Sequence, residues 1–191
     1  MLNDLLSDLP SLIGVLSLIS TAVIFLAQQV KSNKINKMAV YQQLEIASID
    51  LFRYESDNIH ILLPFQSTTP AATPPTEENS KIFENYIFQT MNLFEMATKH
   101  RKQKMIEPDV FGSWVKWFYD ILLMHGFRDI WPEIKFNYTK EVRDLFDEAV
   151  ANFDFEDDEN KRLQDFFQHA GDVINCATTR NWTSSSETYQ S

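Results

Sequence analysis

Cysteine is nearly absent from this chain of 191 residues: Cys176 stands alone, so no intramolecular disulfide is available, as suits a reducing compartment. Glycine is almost as scarce. Four glycines in the whole chain leave no Gly-rich phosphate loop and few of the turns that a sheet protein needs. There is no G-x-S-x-G elbow, no H-E-x-x-H and no Cys-x-x-Cys. The four histidines are scattered, so no metal site and no cofactor site is expected. Positive charge is also in deficit. A net charge of −10 argues against general nucleic-acid binding, which favours a basic surface.

Charge of either sign is missing altogether from Leu9 to Ala27, a run of nineteen residues. As a helix it would extend about 28 Å, close to the ~30 Å hydrocarbon core of a bilayer. Asp4 and Asp8 precede it and Lys31, Lys34 and Lys37 follow it. A cleaved signal peptide has the opposite flanks and a shorter apolar core. The run therefore reads as an uncleaved anchor, and the lysines after it predict a cytoplasmic C-terminal side with the N-terminus outside. In a bacterium this is a single-pass protein of the inner membrane.

At about 100° per residue, Gly14, Ser17, Thr21 and Gln28 fall within a sector of about 60° on that helix. Small residues let helices approach, and hydroxyl and amide groups hydrogen-bond across the contact. A span facing only lipid gains nothing from such a stripe. The expectation is a homo-oligomer in which these four residues form a packed seam or line a narrow pore.

The rest of the chain reads as helices. The anchor, residues 1–30, continues into a juxtamembrane helix, residues 31–65, with Ile35, Met38, Ile46, Ile49 and Phe52 at helical spacings. Pro64 is expected to stop it. Residues 66–80 (QSTTPAATPPTEENS) read as a flexible linker, and residues 81–177 as a cytosolic helical domain. Thr76 caps its first helix, with Phe83, Tyr86, Ile87, Thr90, Phe94 and Ala97 as the buried stripe. Pro108 opens the next, carrying Phe111, Trp114, Val115, Phe118, Ile121 and Leu122 and ending at Gly126 as a left-handed cap. Trp131-Pro132 reads as a connection. Thr139 caps a third helix with Val142, Leu145, Phe146 and Val150, and Asp157 to Ala170 forms a fourth with Leu163, Phe166 and Phe167. The cations from Lys99 to Lys104 suit a helix C-terminus. The acidic run from Asp154 to Glu159 suits a helix N-terminus and lacks the ligand spacing of a calcium loop. Residues 178–191, rich in Ser and Thr, are expected to be disordered. No segment sustains a period of two, so the fold class is all-α: an N-terminal transmembrane helix followed by a helical bundle.

Arg162 and His169 are seven residues apart, two helical turns, and share one face. This pair resembles the R-x(4–6)-H motif of HEPN domains, helical bundles that often act as metal-independent ribonucleases. The resemblance implies that Arg162 and His169 act on RNA across a dimer interface. Leu163 departs from the motif, which commonly has a polar residue there. Arg53 and His60 repeat the spacing but straddle an expected helix end at Asp57-Asn58.

A broader stretch, Leu9 to Val150 with FENYIFQTMNLFEMATKHRKQKMIEPDVFGSWVKWFYD at its heart, resembles a bacterial family of membrane-anchored helical proteins of unknown function. It is also similar to the HEPN-like membrane accessory proteins of type VI-B CRISPR loci. That resemblance implies oligomeric pore assembly and a role in prokaryotic antiviral defence. Three functions follow: a non-enzymatic membrane oligomer, a membrane-anchored HEPN-type ribonuclease with RNA as its partner, or a scaffold that brings a cytosolic protein partner to the membrane.

Overall fold

The computed structural model describes residues 2–153 and 158–186, with side chains described for residues 17–153 and 158–184. Among the described residues there are helices and no strand. Two compact units divide at Ala39: Met1–Ala39, and Val40–Ser191.

The first unit is the N-terminal part of α1 (Leu2–Asp57). Its large apolar side chains are solvent-exposed, among them Leu18, Val23, Phe25 and Val30, at 73, 60, 62 and 70%. Among the described residues no helix is long and apolar enough to cross a membrane. The first half of the uncharged run, through Leu16, and with it Gly14, lies outside the residues whose side chains are described.

The second unit is built on α1 from Val40 onward, α2 (Ile59–Gln66), α3 (Glu77–Lys102), α4 (Pro108–Leu123), α5 (His125–Ile134), α6 (Lys140–Ala151), α7 (Glu159–Val173) and two short helices, α8 (Ala177–Arg180) and α9 (Trp182–Ser186). Helix α3 forms because its apolar residues recur at three and four. All six residues of its expected stripe are buried, at 0–1% exposure. Thr76 caps it, its hydroxyl oxygen accepting from the Asn79 amide at 3.2 Å. Its end is a Schellman turn, with Met105 N donating to His100 O and Lys104 N to Arg101 O. The left-handed position, φ 60°, is held by Lys104 where glycine is usual.

Rings dominate the core. Phe94 lies 3.9 Å from Phe118 between centroids, and Trp131 packs on Phe127, Tyr138 and Phe146 at 5.3–6.0 Å. The Trp131 indole donates to Asp147 at 2.9 Å, which gives its one polar atom a partner. Burial, with the Glu95 carboxylate adding to it, pushes the Tyr138 hydroxyl up to about 12. Glu95 also ties α3 to α6, accepting from the Thr139 backbone amide at 2.6 Å. Thr139 caps α6 by position, but its side chain makes no capping hydrogen bond.

Along α1, Leu44 and Leu51 are buried while the spaced residues Ile46, Ile49 and Phe52 are 47–62% exposed, Phe52 lying 5.0 Å from the Trp117 ring. The helix has two apolar faces, and the bundle covers only one. Four sequence expectations need correction. Pro64 does not stop a helix but lies inside α2, two residues before its end, where it removes one bond of a turn already closing. Pro132 likewise lies within α5, so Trp131-Pro132 is helical. Gly126 is no left-handed cap: α4 ends at Leu123 and Gly126 sits in α5, where a Cβ would come within 2.8 Å of Phe83 and 2.9 Å of Phe65. It is glycine because α5 is pressed against those two rings.

The fourth correction concerns the C-terminal segment. Residues 177–186 form α8 and α9 instead of a disordered tail, and Trp182 stacks on Phe167 at 6.4 Å. The remaining tail, residues 187–191, and most of the acidic run, residues 154–157, lie outside the described residues. Helix α7 starts from Asp158, whose carboxylate accepts from the Lys161 amide at 3.0 Å. It closes on a second Schellman turn, through the left-handed Asn175 and the Cys176 N–H to Gly171 O bond.

Candidate functional site

Helix α7 presents Arg162, Asp165, Phe166 and His169 at i, i+3, i+4 and i+7, which is one face. That face meets Tyr119 and Leu122 from α4, and Glu148 and Ala149 from α6 with Asn152 and Phe153 just after it. Together they enclose a cavity of about 350 Å³. Its depth is apolar: Leu122, Phe166 and Tyr119 are 2–4% exposed. Its mouth is polar, with Glu148, Asn152, Asp165, Arg162 and His169. Cavities of this size and polarity are where small ligands bind.

The two sequence-predicted catalytic residues thus line one cavity. His169 is held firmly. Its Nε2 lies 2.8 Å from the Asp144 carbonyl oxygen, which only accepts, so Nε2 carries the hydrogen. Its Nδ1 lies 3.4 Å from a Glu148 carboxylate oxygen, an acceptor as well, so this contact is an ion pair when the imidazole is doubly protonated. The Arg162 guanidinium stands over the Phe153 ring at 5.5 Å, and Arg128 covers that ring at 4.2 Å. Arg128 in turn caps α4, donating to the carbonyls of Leu122 and Leu123, and reaches the Thr68 carbonyl at 2.7 Å. Burial lowers its pKa, against the raising effect of Asp129.

Tyr119, Glu148, Asn152 and Asp165 were not legible as site residues. Tyr119, Glu148 and Asn152 come from α4 and the end of α6, whose approach to α7 no local pattern fixes, and Asp165 sits on α7 itself, one turn from Arg162. The Tyr119 hydroxyl is buried without a hydrogen-bond partner among the described residues, which costs about 1–3 kcal/mol. Asp165 shares the face of Arg162, and nearby His169 is joined to Glu148 and Lys140 to Asp144.

Elsewhere the geometry separates what the spacing joined. Arg53 pairs with Asp50 at 3.2 Å on α1, and His60 lies on α2 beyond the turn at Asn58. Ser17, Thr21 and Gln28 are exposed on α1, and the Thr21 hydroxyl donates to the Ser17 carbonyl of its own helix at 2.9 Å. Lys99, His100, Arg101 and Lys102 occupy the last turn of α3, and Lys102 pairs with Glu141. Cys176 is buried; burial works to raise its thiol, but Thr179 and Arg101 outweigh that and hold it below its ordinary value. Among the described residues no group of three or more His, Cys, Asp or Glu is placed to hold a metal ion. Comparisons with family models, curated proteins and solved structures return no match to the chain.

Proposed function

We propose that the chain is a membrane-tethered homo-oligomer, anchored by the uncharged run of α1 and associating through Gly14, Ser17, Thr21 and Gln28. The observation that carries this reading is the exposed apolar surface of α1 between Leu18 and Val30, where seven large side chains are 53–73% accessible. Apolar surface on that scale calls for lipid or protein against it. Ile46, Ile49 and Phe52 extend the need for a cover into the second unit, which suits contact between copies. The similarity to membrane accessory proteins of antiviral defence loci agrees with this reading, and it makes a pore one form the assembly takes.

The test is direct. The protein stays in the membrane pellet after a carbonate wash and behaves as an oligomer by light scattering in detergent. Thr21→Leu removes a close contact and weakens association about tenfold. A protein released by carbonate, or a strict monomer, defeats the proposal.

The Arg162–His169 cavity favours a second reading, RNA cleavage at the membrane. The His169 imidazole would serve as the acid–base group at a ribose 2′-hydroxyl and Arg162 would face the phosphate. His169→Ala then lowers cleavage of single-stranded RNA at least 100-fold, with the melting temperature changed by only a few degrees. Equal cleavage by wild type and His169→Ala counts against this reading.

A further inference from the structure

We propose that Cys176 is a modification site, a thiol that hydrogen peroxide oxidises reversibly to a sulfenic acid whose oxygen is held by Thr179 and Arg101. What points to an added oxygen is a pair of buried donors with no acceptor. The Thr179 side chain is 0% exposed, and neither its hydroxyl nor the buried Arg101 Nε has a hydrogen-bond partner among the described residues. Both stand at the sulfur. Arg101 Nη2 lies 3.6 Å from Cys176 Sγ, and the Nε–H points to the same side of the guanidinium fork as that Nη2. The other arm of the fork donates to the Ile106 carbonyl at 2.9 Å, so the ionised thiol is the anion this guanidinium meets. Burial opposes that ionisation, but Thr179, within hydrogen-bonding reach of the thiolate, and the charge of Arg101 outweigh it.

The thiolate sulfur attacks one oxygen of hydrogen peroxide. The S–O bond forms, the O–O bond breaks, and the hydroxide that leaves takes up a proton as water. Sulfur gives up two electrons and peroxide gains them. The new oxygen accepts from Thr179 and from Arg101 Nε, which gives both donors a partner. Cys176 is the one cysteine of the chain, so no intramolecular disulfide follows. Oxidation rests at the sulfenic acid until a small thiol reduces it, through a mixed disulfide and loss of water. Cys176 is 4% exposed, and a reagent as small as peroxide needs only a local opening beside the four-residue helix α8. The inference rests on neither reading of function above, and its test leaves both untouched.

The experiment treats the full-length chain with hydrogen peroxide at neutral pH, folded and unfolded in urea. Samples are quenched into denaturant with dimedone, which caps sulfenic acid, and mass spectrometry counts the adduct on Cys176. The folded chain oxidises about fivefold faster than the unfolded one, and a small thiol added before the quench removes the adduct. Thr179→Val keeps the volume of the side chain and its melting temperature. It slows oxidation about fivefold and lets the product run on to sulfinic acid. Arg101→Lys keeps a charge at the sulfur but loses Nε, and its sulfenic acid also over-oxidises. Slower oxidation in the folded chain than in the unfolded one overturns the proposal, since a merely buried thiol behaves that way. So does a Thr179→Val variant that matches the wild type in both rate and product.

Discussion

Trp131→Ala lowers the melting temperature of the helical unit by roughly 6–20 °C. The indole is 1% exposed at the meeting of α5 and α6, and Phe127, Tyr138 and Phe146 all pack on it. Deleting such a ring removes its transfer free energy and leaves a cavity that three other rings cannot close, at a cost of about 3–5 kcal/mol. For a unit of this size each kcal/mol is worth about 2–4 °C. Trp131→Phe separates the contributions. It keeps most of the packing and loses the indole bond to Asp147. Asp147 still holds Lys135 at 3.2 Å, so no acceptor is orphaned and the loss is about 1–2 kcal/mol. Differential scanning calorimetry measures both. Equal melting temperatures for wild type and Trp131→Ala would mean that these rings do not form the core.

Gly171→Val detaches the C-terminal helices. A Cβ at Gly171 would stand 2.6 Å from the N, Cα and Cβ of Arg180, two of which are backbone atoms. Backbone cannot rotate aside as a side chain does, so α7 and α8 must part, at about 3 kcal/mol or more. Cys176 reads out the event. It is 4% exposed, and its amide donates to the Gly171 carbonyl at 2.8 Å. Its reaction with an aromatic disulfide reagent should accelerate at least tenfold in the variant. An unchanged labelling rate would refute the close approach. Gly112 makes the useful contrast. Its Cβ would meet the Trp182 indole at 2.3 Å, a side chain on the five-residue helix α9 and not backbone. Gly112→Ala therefore displaces one side chain and leaves the Cys176 rate close to that of the wild type.

Those two glycines, with Gly126, mark where local sequence stops being informative. The buried stripes of α3, α4, α6 and α7 were readable because a helix writes its inner face at intervals of three and four. The helix starts at Thr76 and Pro108 were readable because the orphan amides of a first turn ask for a side-chain acceptor before it and tolerate a proline, which has no amide hydrogen, within it. What Gly126 meets depends on Phe65 and Phe83, and what Gly171 meets depends on Arg180, all brought there by packing. The same limit explains α1. Two apolar faces at similar spacing are visible in its sequence, and only the bundle decides that Leu44 and Leu51 turn inward while Ile46 and Ile49 do not. At the site, the Arg162–His169 pair was legible because both lie on one helix. The carboxylate, amide and hydroxyl that complete the cavity come largely from α4 and α6, and nothing in the spacing along α7 announces them.

The distribution of tryptophan gives the chain an optical asymmetry. All four indoles, at positions 114, 117, 131 and 182, belong to the second unit, and residues 1–39 contain none. Ultraviolet emission is therefore silent about α1 before Val40, whatever surrounds it. Trp131 sits in a dry aromatic cluster and emits towards the blue, while the half-buried Trp182 beside Phe167 emits further to the red. Loosening α9 alone changes only the red component, and a spectrum that moves as a whole reports the melting of the bundle.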